Sequence, residues 1–188
     1  MARSGSLSPV VGSPVVGRAE VRAVGDRLII PLPQEVSDQL PSRGQVAADA
    51  ELDGHRFRTV IEPDGRKGHW LRVDDELRQR LDLAEGTEVD LDLTPTKAWP
   101  EPEIPQDLGS ALATADDLDG TWASITPMAR WEWVRWVGAT RNPDTRARRV
   151  EASIDKLRGG RRRPCCFDLS SCTDPELARS GKLIEPDL

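Results

Sequence analysis

Apolar and polar residues alternate in short runs over the first half of the chain. In the run Glu88–Leu93 the side chains are carboxylates and aliphatic groups in turn, so a strand here exposes its carboxylates and buries its aliphatic face. Asp53-Gly54 favours a type I′ hairpin turn. The other strands that the pattern predicts are 19–24, 27–32 and 55–62.

Two stretches of this region, residues 30–52 and 71–93, resemble each other at a constant offset of 41 residues. Each predicts a strand, a short helix, a turn with glycine and an alternating strand. In the second copy Asp74 is expected to cap a helix over 75–81, because its carboxylate can accept hydrogen bonds from free backbone N–H groups. Two such halves cannot bury their inner faces separately, so we predict that they close into one small β-barrel over residues 18–95.

The composition changes after the last of these strands. Prolines at positions 95, 100, 102 and 105 exclude a central strand or helix, and residues 96–118 are interpreted as a connector with one short helix. Thr126-Pro127 and Asn142-Pro143 each combine a capping side chain with proline at the first helical position. They predict two helices that form a hairpin over residues 119–160, and the chain is assigned to the α+β class.

Both ends of the chain lack a periodic pattern. Residues 1–17 mix Gly, Ser and Pro with isolated valines and are predicted to be a disordered lead, whereas residues 161–188 are predicted to be an irregular tail that contains the cysteines. No stretch reaches the roughly 18 apolar residues of a membrane span, and the lead lacks the apolar run of a signal peptide. We therefore expect a cytoplasmic protein without a membrane span.

Charge is divided unequally along a chain whose formal net charge is −6. Residues 18–95 carry 11 basic and 17 acidic side chains, whereas residues 127–163 carry 11 basic and 4 acidic ones. The net negative charge of the whole chain disfavours nucleic acid as a partner. The simplest explanation of the unequal charges is that the acidic and basic segments partly neutralise each other, with the remaining charges solvated at the surface. The alternative is a nucleic-acid-associated regulator that uses the basic hairpin. The residues of that alternative site are Arg148, Arg149, Arg161, Arg162 and Arg163.

A resemblance to a known family is carried by the stretch ITPMARWEWVRWVGATRNPDTRARRVEASIDKLRGG, residues 125–160. It resembles the C-terminal helical region of bacterial proteins described as YdeI, OmpD-associated or bacteriocin-protection proteins, and Thr145, Arg146 and Arg149 match its most recognisable element. The region upstream, with LDGHRFRTVIEPDGRKGHWLRV, is similar to the small barrel domain of unknown function that precedes this part in such proteins. The doubled halves are also similar to AbrB-like and double-psi barrels.

The resemblance implies a binding or stress-protection protein with a link to an outer-membrane porin and to bacteriocin resistance. We expect a non-enzymatic protein that binds an unknown small molecule or protein. The residues expected to hold it are Trp133, Thr145, Arg146 and Arg149. The composition agrees with this, because a catalytic triad would have to use His55 or His69, the only histidines, and no phosphate-binding glycine loop or aspartic-protease motif occurs.

The tail contains all three cysteines, Cys165, Cys166 and Cys172. Their odd number and crowding are unlike a disulfide framework and fit a reducing compartment. Inert reduced thiols are the simplest interpretation. The neighbouring arginines would favour reactive thiolates, and the three sulfurs could help to hold zinc or another soft metal, although zinc requires a fourth ligand. A thiol or metal sensor is therefore a second alternative, and no other cofactor is expected.

Overall fold

The computed structural model describes residues 12–165 and 168–185 of the chain. The chain folds into two compact units. Within the described residues, the first unit runs to Pro100 and also takes in Ile184 and Glu185, and the second lies between Glu101 and Leu183. The first unit is built on a sheet and the second mainly on helices, which confirms the α+β class.

Seven strands of the first unit form one sheet. They are β1 (Val15–Glu20), β2 (Arg22–Val24), β3 (Arg27–Pro31), β4 (Val46–Leu52), β5 (His55–Pro63), β6 (His69–Arg72) and β7 (Glu88–Pro95). Their order across the sheet is β1-β7-β4-β5-β6-β3-β2, and neighbouring strands are antiparallel. The helices α1 (Gln34–Ser37) and α2 (Asp75–Arg80) follow β3 and β6.

The predicted closed barrel is wrong, because the curled sheet has two edges. Its edge strands β1 and β2 do not pair with each other within the described part of the chain. They are consecutive parts of one segment divided at Val21, and β1 pairs with β7 whereas β2 pairs with β3. Val21 itself bonds to the turn before β7: its N–H donates to the carbonyl of Thr87, and its carbonyl accepts from the N–H of Gly86, each at 2.8 Å.

The first strand begins at Val15, inside the segment predicted to be a disordered lead. Val15 is buried opposite Leu93. Gly17 lies so close to Val36 that a Cβ atom added there would stand 2.5 Å from Val36 Cγ2. The ordered domain therefore starts before the predicted boundary at residue 18, and residues 1–11 lie outside the described residues.

The two similar stretches each contain a strand, a short helix and a second strand, as predicted. Equivalent strands are neighbours, since β3 pairs with β6 and β4 with β7. Asp74 accepts a hydrogen bond from the N–H of Leu77 at 2.7 Å, which confirms the predicted cap of α2. Asp53 and Gly54 have φ angles of 47° and 83°, as the predicted type I′ turn requires. Whether the stretches arose by duplication stays a prediction.

The two faces of this sheet differ in chemistry, as the alternation along β7 predicts. Val89, Leu91 and Leu93 are buried in the core of the first unit, and Asp90 and Asp92 are exposed. A sheet with one packed and one solvated face is typical of antiparallel strands. The outer face consequently carries rows of charged side chains.

The second unit is formed by four α-helices, a short 3₁₀-helix and a two-stranded hairpin within its described residues. They are α3 (Gln106–Ala113), the 3₁₀-helix (Asp116–Leu118), α4 (Asp119–Ser124), α5 (Pro127–Gly138), α6 (Pro143–Arg158), β8 (Ala178–Arg179) and β9 (Lys182–Leu183). Leu108, Leu112 and Leu118 are buried in the same core as Trp133 and Leu157. Much of the predicted connector is thus an integral part of the helical unit.

The predicted starts of the two long helices are confirmed. The Thr126 hydroxyl accepts a hydrogen bond from the N–H of Ala129 at 3.2 Å, and the Asn142 side chain accepts one from the N–H of Thr145 at 2.9 Å. Proline follows each cap. Because both signals are local, the sequence alone locates these two starts.

Candidate functional site

Arg146 connects α6 to α3 through a two-bond ion pair. Its Nε donates to Asp107 Oδ2 at 2.6 Å, and its Nη2 donates to Asp107 Oδ1 at 2.9 Å. The hydrogen bonds from Arg146 hold the pKa of Asp107 below its ordinary value. The guanidinium predicted to bind a ligand is therefore already engaged with a carboxylate of its own unit.

Trp133 and Thr145 also have structural roles. Trp133 is completely buried, and its indole N–H donates to the carbonyl of Arg162 at 3.1 Å. Thr145 supplies the backbone N–H that the Asn142 side chain caps. Trp133 thus joins the middle of α5 to the segment after α6, and Thr145 lies in the capped first turn of α6.

Arg149 lies in different surroundings, beside the half-buried ring of Trp136. Its Nη1 donates to the Trp136 carbonyl at 2.8 Å, and its guanidinium carbon is 5.7 Å from the ring centroid. Lys156 Nζ is 4.5 Å from the same centroid and 3.3 Å from Cys165 Sγ. We call these three residues, Trp136, Arg149 and Lys156, the indole–cation cluster.

Other arginines of the helical unit are paired with carboxylates in the manner of Arg146. In each of these pairs two N–H groups donate to the two carboxylate oxygens over 2.5–3.0 Å, the bidentate geometry that guanidinium favours. The pairs are Arg130–Glu101, Arg158–Asp117 and Arg163–Glu132. Of the seven cations on α5 and α6, three are consequently paired with carboxylates of the unit: Arg130, Arg146 and Arg158.

A concave surface lies on the outer face of the sheet in the first unit, where β4, β5 and β7 run side by side. It encloses about 560 Å³. The residues that line it are Asp49, Ala50, Glu51, Arg56, Phe57, Arg58, Asp92 and Thr94. We call it the strand concavity.

Carboxylates outnumber guanidinium groups in the strand concavity. Arg58 donates to Asp49 at 2.7 Å, and Arg56 donates to Glu51 at 2.5 Å. Asp92 stands opposite Glu51 in the pairing of β7 with β4. Both carboxylates lie near the guanidinium of Arg56. The pKa of Arg56 is raised mainly by its hydrogen bond to Glu51 and further by the charge of Asp92. Like charges placed opposite each other destabilise a sheet, so a cation beside Asp92 would be stabilised there.

Family comparisons agree with this division into two units. Residues 101–160 match the model of the family described as "Bacteriocin-protection, YdeI or OmpD-Associated". Over these residues the helical unit is similar to that family, and we refer to it as the YdeI/OmpD-associated unit. Residues 18–93 match a domain of unknown function, DUF1905. No curated protein matches the chain significantly.

The five arginines of the alternative nucleic-acid site do not share one environment in the YdeI/OmpD-associated unit. Arg149 and Arg163 bind the Trp136 carbonyl and the Glu132 carboxylate. The other three, Arg148, Arg161 and Arg162, are exposed. Nucleic-acid binding stays a prediction, and two of the five cations already have partners within the unit.

The cysteines of the YdeI/OmpD-associated unit are separated by burial. Cys165 is exposed and Cys172 is buried, and Cys166 lies outside the described residues. Among the described residues, no group of three or more His, Cys, Asp or Glu side chains could hold a metal ion. The thiol-sensor and metal-sensor hypotheses both stay predictions.

The two histidines of the DUF1905 unit differ in exposure. His55 stacks on Phe57 with ring centroids 5.7 Å apart. His69 is buried, and its Nε2 is 3.2 Å from the Gly44 carbonyl. Its Nδ1 has no hydrogen-bond partner in the part of the chain that the structure describes. Burial lowers the pKa of His69, so this imidazole is neutral near pH 7.

Sequence reasoning missed Arg135, which attaches the tail to α5. Its buried guanidinium donates to the Ser171 carbonyl at 3.0 Å and to the Thr173 hydroxyl at 3.2 Å. The tail predicted to be irregular therefore contributes to the YdeI/OmpD-associated unit, with Cys172 and Leu177 buried. The only sequence signal was an arginine between tryptophans in the apolar part of a helix.

None of the helices in the described residues has the length and apolarity needed to cross a membrane.

Proposed function

We propose that this protein is a non-enzymatic binding protein of the bacteriocin-protection type, and that it binds a cationic segment of a polypeptide in the strand concavity. The observation that carries the proposal is the surplus carboxylate of Asp92 opposite Glu51. The description of the matching family supports the protective role.

The charges and shape of the strand concavity favour this type of ligand. Arg56 binds Glu51 and Arg58 binds Asp49 across the β4–β5 pair, whereas the Asp92 carboxylate on β7 accepts no side-chain hydrogen bond from the described residues. An ammonium or guanidinium group beside Asp92 would neutralise it and relieve its repulsion with Glu51. Because paired strands hold their side chains at a fixed spacing, the carboxylates of the concavity are already positioned before a ligand binds.

Binding without catalysis fits the side chains available. No histidine, cysteine, serine or lysine is among the described residues that line the concavity, and those side chains are the commonest nucleophiles and bases. Two of its three carboxylates are hydrogen-bonded to guanidinium groups. The surface is consequently better suited to electrostatic recognition than to proton transfer.

The test is calorimetric titration of the full chain with a lysine- and arginine-rich peptide at low and at physiological salt. A cationic peptide should bind, and added salt should weaken binding because exposed charges are screened. Asp92→Asn and Glu51→Gln should each weaken binding about two- to fivefold, the range of single exposed ion pairs. The double variant should lose about tenfold.

Glu88→Gln is the matched control. Glu88 is exposed on β7 and does not line the concavity, so this variant loses the same charge and should bind as the wild type does. An anionic peptide of the same length should not bind. Equal losses for Glu88→Gln and Asp92→Asn would show that bulk charge alone attracts the peptide, and turnover of the peptide would contradict the non-enzymatic role.

A further inference from the structure

The indole–cation cluster differs from the four carboxylate-paired arginines of the helical unit, because its cations have no carboxylate partner among the described residues. The partners of Arg149 and Lys156 are the Trp136 carbonyl, the Trp136 ring and the sulfur of Cys165. By contrast, Arg130, Arg146, Arg158 and Arg163 all bind carboxylates bidentately. Two cations on one ring without a counter-charge repel each other.

We infer that the indole–cation cluster is a binding site for the phosphate group of a small molecule. Arg149 and Lys156 stand two turns apart on α6 and approach the same indole ring, so both can donate to one tetrahedral anion. A phosphomonoester carries a charge of about −1.5 to −2 at pH 7, which matches two cations. The inference is independent of the proposed peptide site, which lies in the other unit.

Arg149 retains the donors that such a ligand needs. One Nη1 hydrogen is used on the Trp136 carbonyl, which orients the guanidinium and leaves Nε and Nη2 to donate. A planar guanidinium can then present two parallel N–H groups to a phosphate. Lys156 adds a compact charge on a flexible stem, since an ammonium group binds phosphate without a fixed direction.

The indole–cation cluster is partly buried. Arg149, Lys156 and Trp136 are each half-buried, so both cations have lost part of their hydration. The ring compensates in part through cation–π attraction, which is weaker than full neutralisation by an anion. Ser153, buried one turn from Arg149, donates to the Arg149 carbonyl at 2.7 Å, so this part of α6 is well supported.

The test uses the full chain and inorganic phosphate, followed by phenyl phosphate as a simple phosphomonoester. The chain has six tryptophans, so a ¹H–¹⁵N spectrum contains few indole signals, and the signal lost in Trp136→Phe identifies that of Trp136. We expect this signal to shift saturably with both phosphates and to stay in place with sodium chloride at the same ionic strength.

Arg149→Gln and Lys156→Gln should each weaken phosphate binding about tenfold, as expected for loss of a charge-assisted hydrogen bond. Arg148→Gln is the matched control: Arg148 is exposed on the same helix, and its loss should change affinity less than twofold. If Arg149→Gln does not fold, Lys156→Gln decides the question, because Lys156 donates to no backbone carbonyl among the described residues.

Three results would overturn the inference. The first is an absent or non-saturable shift, and the second is an equal loss of affinity in Arg148→Gln. The third is tight binding of a short single-stranded oligonucleotide that depends on Arg148, Arg161 and Arg162, which would identify a nucleic-acid surface instead. A saturable shift that requires Arg149 and Lys156 and spares Arg148 supports the inference.

Discussion

Replacement of Arg163 by methionine should strongly destabilise the helical unit. Its side chain is 52% exposed, but that of its partner Glu132 is 5% exposed. The two form paired hydrogen bonds of 2.6 and 2.5 Å. Arg163→Met therefore leaves a carboxylate in a site that water hardly reaches, and an uncompensated buried charge is far more costly than a lost surface pair.

The magnitude follows from the unequal burial of the two partners. Removal of one member of a fully buried pair costs about 3–5 kcal/mol. Because the Arg163 end is half-exposed, water enters part of the space it leaves, and we expect a loss of about 2–3 kcal/mol in the free energy of unfolding. With a typical urea dependence this lowers the unfolding midpoint by about 1 M.

The assay is urea unfolding at pH 7, followed by tryptophan fluorescence. The double variant Arg163→Met with Glu132→Met should recover most of the loss, because a buried pair replaced by apolar groups is about neutral in stability. Arg161→Met, an exposed neighbour, should change stability by less than about 0.5 kcal/mol. The reasoning is refuted if Arg163→Met is as mild as Arg161→Met, or if the double variant is no more stable than the single one.

Three further perturbations have defined outcomes. Burial lowers the pKa of His69, so folding disfavours protonation of this imidazole. The free energy of unfolding should therefore fall as the pH drops below the ordinary pKa of about 6.5, by at most about 1.4 kcal/mol per pH unit. In the same pH range the urea midpoints of the wild type and His69→Gln should converge. Asp107→Asn should lower the free energy of unfolding by about 1 kcal/mol at pH 7, since this exposed carboxylate binds Arg146. Because the pKa of Asp107 is lowered in the folded protein, the stability difference between wild type and variant should vanish as the pH falls below the ordinary aspartate pKa of about 3.8. Gly17→Ala should clash with Val36 and lower the free energy of unfolding by about 1–3 kcal/mol, which thermal unfolding would detect as a lower midpoint. Val36→Ala in the same chain should relieve the clash and restore part of that midpoint.

Local features of the fold were predictable because each depends on a few neighbouring residues. The helix caps at Asp74, Thr126 and Asn142 bind N–H groups three residues away. The turn at Asp53-Gly54 and the alternation in β7 are equally local. Closure of the sheet is different, because alternation shows which face is buried but not which strand lies beside which.

The roles of the charged residues were much less predictable. Arg146 meets Asp107 from 39 positions away, and Arg163 meets Glu132 from 31, so charge counts along the chain could not distinguish a structural arginine from an available one. Arg149 matched the family pattern, but only the packing of α5 on α6 shows that it contacts Trp136 and no carboxylate of the described residues. The strand concavity combines side chains of three strands, and only their pairing register brings Asp92 beside Glu51.

The division of the first strand at Val21 determines how the sheet responds to changes in chain length. Its two edges are tied together by the covalent backbone rather than by a row of interstrand bonds, and Val21 is held in place by Gly86 and Thr87. A residue inserted at this point would invert the alternation of β1 relative to β2 and bring one edge out of register. The number of residues at this position is therefore constrained by the pairing of both edges, even though Val21 is not itself part of either strand.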